Sequence, residues 1–480
     1  MKIESQKFVV VLFISIFIFY GCKVSKPVQM PAVKTMPGKF DLDDSTSIAT
    51  MSWKNFFTDT RLVSLIDTAL QNNIDLFMTM QNIEIARSRL LVSKGALLPT
   101  VNSVVAGGVE KYGDYTMNGV GNFDTNLSPN INKDQKIPTH PSVDMFLGFR
   151  STWEIDIWGK LRNRKKAAAA RLLATEKGRQ VVITALVAEI ANSYYSLLAL
   201  DNELAIIRKN ILLQQAALEV VRVQKEGGRA TELAVQQFNA QLLNTKAIEF
   251  PVRQDIVMIE NQINILLGRY PQNISRDTAI MSQQIPSILQ TGLPSSMLSR
   301  RPDIQQAELE LVATNADVAS ARAAFLPSLT ISPYVGLNAF KPYLLFNAGS
   351  IVYAVAGGLT APVFNQNQIR ADYSIANAQK RNALYTYQKI LLNSYSEVMT
   401  NLRSIDNNKQ AYALKEQEVI QLNDAVSTAR DLYVTGYANY LEVITAQKGV
   451  LDAELQLTRN KRKLFESVIN LYRSLGGGWN

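Results

Sequence analysis

Residues 160–226 read KLRNRKKAAAARLLATEKGRQVVITALVAEIANSYYSLLALDNELAIIRKNILLQQAALEVVRVQKE, without a proline and with one interior glycine, Gly178. Apolar side chains recur at alternating steps of three and four: Ile183, Leu186, Ile190, Leu197, Leu200, Leu204, Ile207, Ile211, Leu218 and Val221. Ser193, Gln214 and Lys225 are the polar breaks in that ladder. A seven-residue apolar repeat sustained over such a length predicts one long coiled-coil helix. At the helical rise it would reach roughly 100 Å, several times the width of an ordinary domain. A helix of that length belongs to something that crosses a gap.

The stretch occurs twice. Arg162, Glu189, Gly228, Ala230, Leu233, Val235, Leu267 and Gly268 recur, in the same order and at the same spacing, as Arg370, Glu397, Gly436, Ala438, Leu441, Val443, Leu475 and Gly476. The second ladder keeps Leu391, Val398, Ile405, Tyr412, Val419, Val426 and Tyr433 at strict seven-residue steps. A repeat this long is a whole structural half rather than a solenoid unit.

Around the helices the chain changes period. Helical periodicity from Arg61 to Leu98 stops at Pro99, because the residue before a proline is pushed out of helical geometry. Val101–Val104 and Ser142–Trp158 alternate at period two and read as strands, separated by the polar loop Lys111–Pro141 that holds the lone histidine, His140. The second half repeats this grammar: Ala324-Phe325-Leu326-Pro327 mirrors Ala96-Leu97-Leu98-Pro99, and strands follow at Ser328–Phe340 and Ser350–Phe364. Trp153 and Trp158 suit a membrane-interface belt or, equally in kind, a plain sheet core. After each long helix a glycine tip, Gly228 or Gly436, permits a left-handed helix end, and a returning helix follows over residues 230–267 or 438–475.

The domain plan is therefore an export signal over 1–21, a tether over 22–60, a first repeat over 61–270, a linker over 271–300 and a second repeat over 301–480. The first repeat holds a hairpin over 100–158 and a long helix over 160–226; the second holds a hairpin over 328–364 and a long helix over 368–434. The expected fold class is an α+β membrane protein: duplicated halves forming a long helical coiled-coil barrel, with four strands per chain contributed to a shared transmembrane β-barrel. Such a sheet must close across several chains, because open edges are not satisfied in hydrocarbon.

The signal rests on Lys2 and Lys7 before the apolar run Phe8–Tyr20, which is shorter than the roughly 20 residues of a spanning helix. It ends in Phe19-Tyr20-Gly21-Cys22, similar to the cleavage box of bacterial lipoproteins, and Cys22 is the single cysteine of the chain. Lipidation is the expectation for Cys22, with a buried free thiol as the alternative. Pro27, Pro31 and Pro37 give the following stretch the character of an extended tether.

Composition narrows the function. The 480 residues are 47% apolar and 19% charged, which is the balance of a folded protein. The net charge of +9 is spread among acids along the helices, so nucleic-acid binding is not expected. One histidine and one cysteine leave no material for a His/Cys metal cluster or a Ser-His or Cys-His nucleophile. No phosphate-cradling glycine motif occurs. The expectation is no enzyme, no cofactor and no metal.

The residues resemble a known family, the TolC-like outer-membrane factors of bacterial tripartite efflux pumps, and within it the lipoprotein branch. The resemblance is carried by Trp53–Phe57 leading into Leu62–Asn73, Trp153–Arg162, and Gly292-Leu293-Pro294-Ser295 with Arg300-Arg301-Pro302-Asp303-Ile304. Ala324–Ser328 and the terminal Leu475-Gly476-Gly477-Gly478-Trp479 complete it. It implies a homotrimer with a 12-stranded outer-membrane barrel, lipid-anchored and extending into the periplasm as a tunnel. It also implies a periplasmic adaptor and an inner-membrane transporter of the resistance-nodulation-division type as partners. The alternatives are the exit duct of a type I protein-secretion system and a coiled-coil lipoprotein without a pore.

The same resemblance assigns a periplasmic gate. Tyr433 falls on a tyrosine of the family's closing network, and Glu442 on an acid that rings the pore. Ala438 and Thr445 depart from the pattern, standing where a basic partner and a second acid are found. Glu442 read without the resemblance is a solvated helix-surface acid. The tips at Gly228 and Gly436 are the expected adaptor-docking points.

Overall fold

The computed structural model describes residues 30–32, 35, 37–38, 40, 47–138, 141–276, 279–284, 291–362 and 364–479. The segment expected to direct export, Cys22 and His140 lie outside the described residues. A single turn at Trp53–Phe56 precedes α1 (Thr60–Asn72), α2 (Ile74–Gly95), β1 (Thr100–Glu110), α3 (Met117–Thr125) and β2 (Ser142–Ile155). Then come α4 (Lys160–Glu226), α5 (Glu232–Leu266), α6 (Pro294–Arg300) and α7 (Pro302–Ala323). The chain ends with β3 (Ser328–Ala339), β4 (Ile351–Thr360), α8 (Gln368–Thr435) and α9 (Tyr440–Ser474).

The two long helices form where the heptads place them. Both returning helices start later than the periodicity suggests, because Thr231 and Asn439 serve as N-caps: Thr231 Oγ1 accepts from Ala234 N, and Asn439 Oδ1 from Leu441 N and Glu442 N. The helix expected from Arg61 to Leu98 is broken at Asn73, whose ψ of 127° is extended. β1 is longer than the Val101–Val104 alternation, running through Ala106-Gly107-Gly108 to Glu110. Those small residues carry no pattern of their own and are held by β2.

By contacts the chain divides into two compact units, one from Ala86–Leu172 with Glu310–Leu384, the other from Ala32–Ile85, Leu173–Leu309 and Tyr385–Asn480. The first is organised by one antiparallel four-stranded sheet in the order β1-β2-β3-β4. The middle pairing, β2 with β3, joins the two halves of the duplication. Gly148 and Gly336 face each other there, and a Cβ on either would run into the opposite backbone and the ring of Phe146. Phe146 lies over this glycine pair, with Tyr334 edge-on at 6.1 Å and the Arg150 guanidinium 4.7 Å from its ring centre.

The second unit carries the main core. Ile190, Tyr194 and Leu197 of α4, Leu62 and Ile66 of α1, and Leu471 of α9 are all completely buried. Phe56 stacks on Tyr472 at 4.0 Å and Tyr195 on Phe465 at 4.3 Å. Tyr472 donates to Met51 O, and burial pushes its phenol up to about 12. The free tether expected up to residue 60 is thus replaced from Ile48 onward by packed chain: Ile48, Trp53, Phe56 and Phe57 are too apolar to stay in water. The expected linker over 271–300 is likewise anchored. Ile274 and Ile280 are buried, Arg276 is paired with Asp201 and Glu260, and α6 occupies its end. A window of α4 is apolar enough to cross a membrane, but most of it is buried in this protein core.

Candidate functional site

Three places concentrate chemistry: the sheet faces, the helix joints and the helical tips. In the sheet, directly opposed residues share a face. The register puts Val101, Val105 and Val109 of β1 on the same side as Leu147, Phe149 and Trp153 of β2, Ile331 and Val335 of β3, and Tyr353, Val355 and Leu359 of β4. Most of these stand exposed, Val105 at 80% and Tyr353 at 79%. The other face carries Asn102, Arg150, Thr152, Ser332, Tyr334 and Asn338. An exposed apolar face backed by a polar one is the division between lipid and lumen in a transmembrane barrel. Among the described residues β1 and β4 each pair on one side only.

Trp153 sits on the apolar face at the rim next to the helices and donates its indole N–H to Leu97 O at 3.0 Å. Trp158, beyond the strand end, donates to Pro327 O at 2.7 Å. Each indole therefore keeps a polar anchor at a helix-to-strand corner while its ring stays half exposed. The start of α4 is fixed at the same rim. Asp156 accepts from Leu161 N and Arg162 N. Burial raises its carboxyl, but these bonds and the Arg162 charge outweigh it and hold the group below the usual range.

The joints were not singled out by sequence pattern. Asn73, between α1 and α2, donates through Nδ2 to Leu266 O, the last residue of α5, and its Oδ1 accepts from Leu76 N. Arg301, between α6 and α7, donates through Nη1 to Ser474 O, the last residue of α9, at 2.8 Å. The same spacing that carries Pro99 onto Pro327 carries Asn73 onto Arg301, so the duplication itself held the signal. Each joint lies against a glycine that a Cβ would block, Gly268 against Asn72 and Gly476 against Arg300. Burial opposes the Arg301 charge, yet Asp303 and Glu397 outweigh it and keep the guanidinium fully charged. Trp479 Nε1 donates to Arg300 O, so the Arg-Pro-Asp-Ile and Leu-Gly-Gly-Gly-Trp strings meet in space.

At the tips the two halves have one backbone. Gly228 has φ 73° and Gly436 φ 87°. Arg229 N bonds to Gln224 O as Tyr437 N bonds to Leu432 O, each at 2.8 Å, closing both helix ends with the same left-handed turn. Side chains differ. An ion pair between Lys225 and Glu232 spans the first tip. At the corresponding places the second carries Tyr433 and Tyr440, both half buried against the apolar cluster around Val443. Burial pushes the Tyr433 phenol up.

Glu442 is exposed, and its carboxylate accepts from Asn439 N while Asn439 accepts in return from Glu442 N, a reciprocal capping box. Within one chain Glu442 therefore serves the start of α9. Tyr433 and Glu442 lie at the same tip but do not bond to each other, Glu442 being engaged with Asn439. Among the described residues no group of three His, Cys, Asp or Glu side chains is placed to hold a metal ion.

Residues 65–269 and 293–477 match the family described as outer membrane efflux protein. The chain is 28% identical over 475 residues to the probable outer membrane lipoprotein SilC of Salmonella typhimurium, covering 97% of each. It is 30% identical over 429 residues to the pyoverdine export outer membrane protein OpmQ of Pseudomonas putida, covering 89% of this chain and 88% of that protein. A crystal structure of a membrane protein from Pseudomonas aeruginosa superposes with a TM-score of 0.85 at 25% identity, covering 95% of this chain and 98% of the other.

Proposed function

The chain belongs to the outer membrane efflux protein family, and from that premise we propose how its residues build the outer-membrane channel of a tripartite efflux system. Its partners are those of the family, a periplasmic adaptor and an inner-membrane transporter; we assign the transporter to the resistance-nodulation-division type. Three copies close their four-stranded sheets into one twelve-stranded barrel. The observation that carries this reading is the sheet: an exposed apolar face, a polar face, and two edge strands paired on one side only. In hydrocarbon those edges need neighbours.

Trp153 and Trp158 then mark the periplasmic membrane interface, where an amphipathic ring with an anchored N–H is at home. Cys22 carries the lipid, a reading supported by the lipoprotein name of SilC. The gate lies at the second tip, with Tyr433 packed in the apolar cluster and three Glu442 carboxylates converging to favour cations. The tips at Gly228 and Gly436 receive the adaptor. Cargo choice rests with the transporter.

Native mass in mild detergent, followed by single-channel recording in a planar bilayer, tests the reading. A trimer that conducts, with cation preference reduced by Glu442→Gln, is expected. A monomer or dimer that retains conductance overturns the stoichiometry, and unchanged selectivity in the variant moves the constriction away from Glu442. Intact mass should show an acylated Cys22 as the first residue; an unmodified cysteine removes the anchor from the scheme.

A further inference from the structure

The four strands carry only four charged side chains, Glu110, Asp144, Arg150 and Glu154, and all stand on the polar face. The three acids lie toward the strand ends, and Arg150 is the single cation. Asp144 accepts from Asn338 Nδ2 at 2.8 Å, and Glu154 is paired with Lys160. At the rise of a strand, Arg150 stands about 13 Å from Glu154 and about 20 Å from Asp144. Both separations exceed the roughly 8 Å over which charges act in physiological salt. No charge on its own strand face offsets it.

The guanidinium is nevertheless held in place. Gly148 and Gly336 leave a gap in the polar face, and the Phe146 ring fills it, 7% exposed. Arg150 leans back over that ring, 4.7 Å from its centre, and stays exposed itself. The contact with Phe146 uses the face of the guanidinium and none of its N–H donors. Among the described residues no oxygen accepts a hydrogen bond from those donors. Tyr334 stands directly across the sheet from Arg150. With Arg150, Thr152 and Ser332 it lines an open hollow of about 510 Å³. Three hydroxyls and one unspent cation face this hollow, and its lone carboxylate, Asp144, is engaged with Asn338.

We propose that Arg150 is the centre of a binding site for anionic solutes, carboxylates above all, on the polar wall of the sheet. A planar guanidinium meets a carboxylate with two parallel N–H bonds, and a neighbouring hydroxyl supplies a third donor. The inference rests on the channel reading, in which three copies turn this face toward the lumen. It puts a weak affinity for anions inside the barrel, opposite in sign to the cation preference assigned to the tip.

Single channels of the full-length trimer in a planar bilayer, with citrate added on the barrel side, test this. Citrate should reduce the wild-type current, and Arg150→Gln should weaken that block by roughly threefold, the scale of one exposed charge pair. In a potassium chloride gradient the same variant should move the reversal potential toward that of potassium. Trimer mass should be unchanged, because the side chain is exposed. Arg150→Lys keeps the charge without the fork, so it should keep the wild-type reversal potential and lose part of the citrate block. Citrate block and reversal potential unchanged in Arg150→Gln would overturn the proposal, as would an Arg150→Lys channel that behaves like Arg150→Gln. A wild-type trimer that conducts nothing would overturn the channel reading itself, and this inference with it.

Discussion

The two long helices arise from one duplicated pattern but treat their ladders differently. Below the main core α4 buries Ile207, Ile211, Leu218 and Val221 within its own chain. The corresponding stretch of α8 leaves Tyr412, Val419, Val426 and Tyr433 half exposed, with Leu414 at 68% and Ile420 at 55%. The difference lies in the ladder alone: off it both copies keep apolar side chains outside, Leu212 and Leu213 on α4 as well as Leu414 and Ile420 on α8, surface that a neighbouring chain can cover. The heptad repeat specifies that a seam exists; it does not say which partner fills it. The joints teach the complementary lesson. Asn73 and Arg301 share no chemistry, yet both deliver an N–H to the last carbonyl of a returning helix. The backbone demand is common to the halves, and the side chain that meets it is free to differ.

The joints offer the sharpest way to break that comparison. Arg301→Ala removes the bond to Ser474 O and the pair with Asp303, while Glu397 keeps Arg473; with both carboxylates about a third exposed it should cost about 2–3 kcal/mol, the scale of charge-assisted hydrogen bonds. Asn73→Ala loses one bond to Leu266 O and one cap and should cost about 1–2 kcal/mol. Hydrogen exchange at the C-terminal turns of α5 and α9 reads both. Equal losses at the two joints would mean that the ion pairs add nothing to the shared bond.

The tips should respond alike to a backbone insult. Gly228→Val and Gly436→Val each force a branched side chain into positive φ, with nothing within 4 Å of either position to add a clash. About 1–2 kcal/mol of local stability should go at each tip, seen as faster exchange there, while trimer mass is kept. On the proposed docking of the adaptor at the tips, efflux should fall with both variants. A much larger loss at one tip would show that side-chain packing, not the turn, sets tip stability.

The smallest effect separates the tips by pH. Hydrogen bonding from Lys225 holds the Glu232 carboxyl below its ordinary value of 4.5. A depressed carboxyl contributes stability above its unfolded value and loses it as pH falls through the folded one. The first tip should therefore open more readily below the ordinary carboxylate range, and Glu232→Gln should remove that part of its acid response. Persistence of the full acid response in the variant would assign it to other groups.

Much of the architecture was legible because its signals are periodic or covalent. Heptads announce helices, alternation announces strands, prolines and glycines announce corners, and α4 occupies the residues its pattern marks. The Asn73 break was hidden, because its cause is a carbonyl almost two hundred positions away in the chain. The packed stretch from Ile48 was hidden for a similar reason: polar and proline-rich neighbours masked a few aromatics whose partners lie at the other end of the sequence.

By itself the sequence determined the extent of the two long helices, the glycine tips and much of the strand alternation, because these depend on residues a few positions apart, and the duplication, because its two copies can be laid side by side. Tertiary structure decided the strand register that turns four patterns into one apolar and one polar face. It also set the meeting of Arg301 with the end of α9. Each of these is a contact between distant segments. Its free energy depends on which groups are brought together out of water, and that is settled only when the chain has closed on itself.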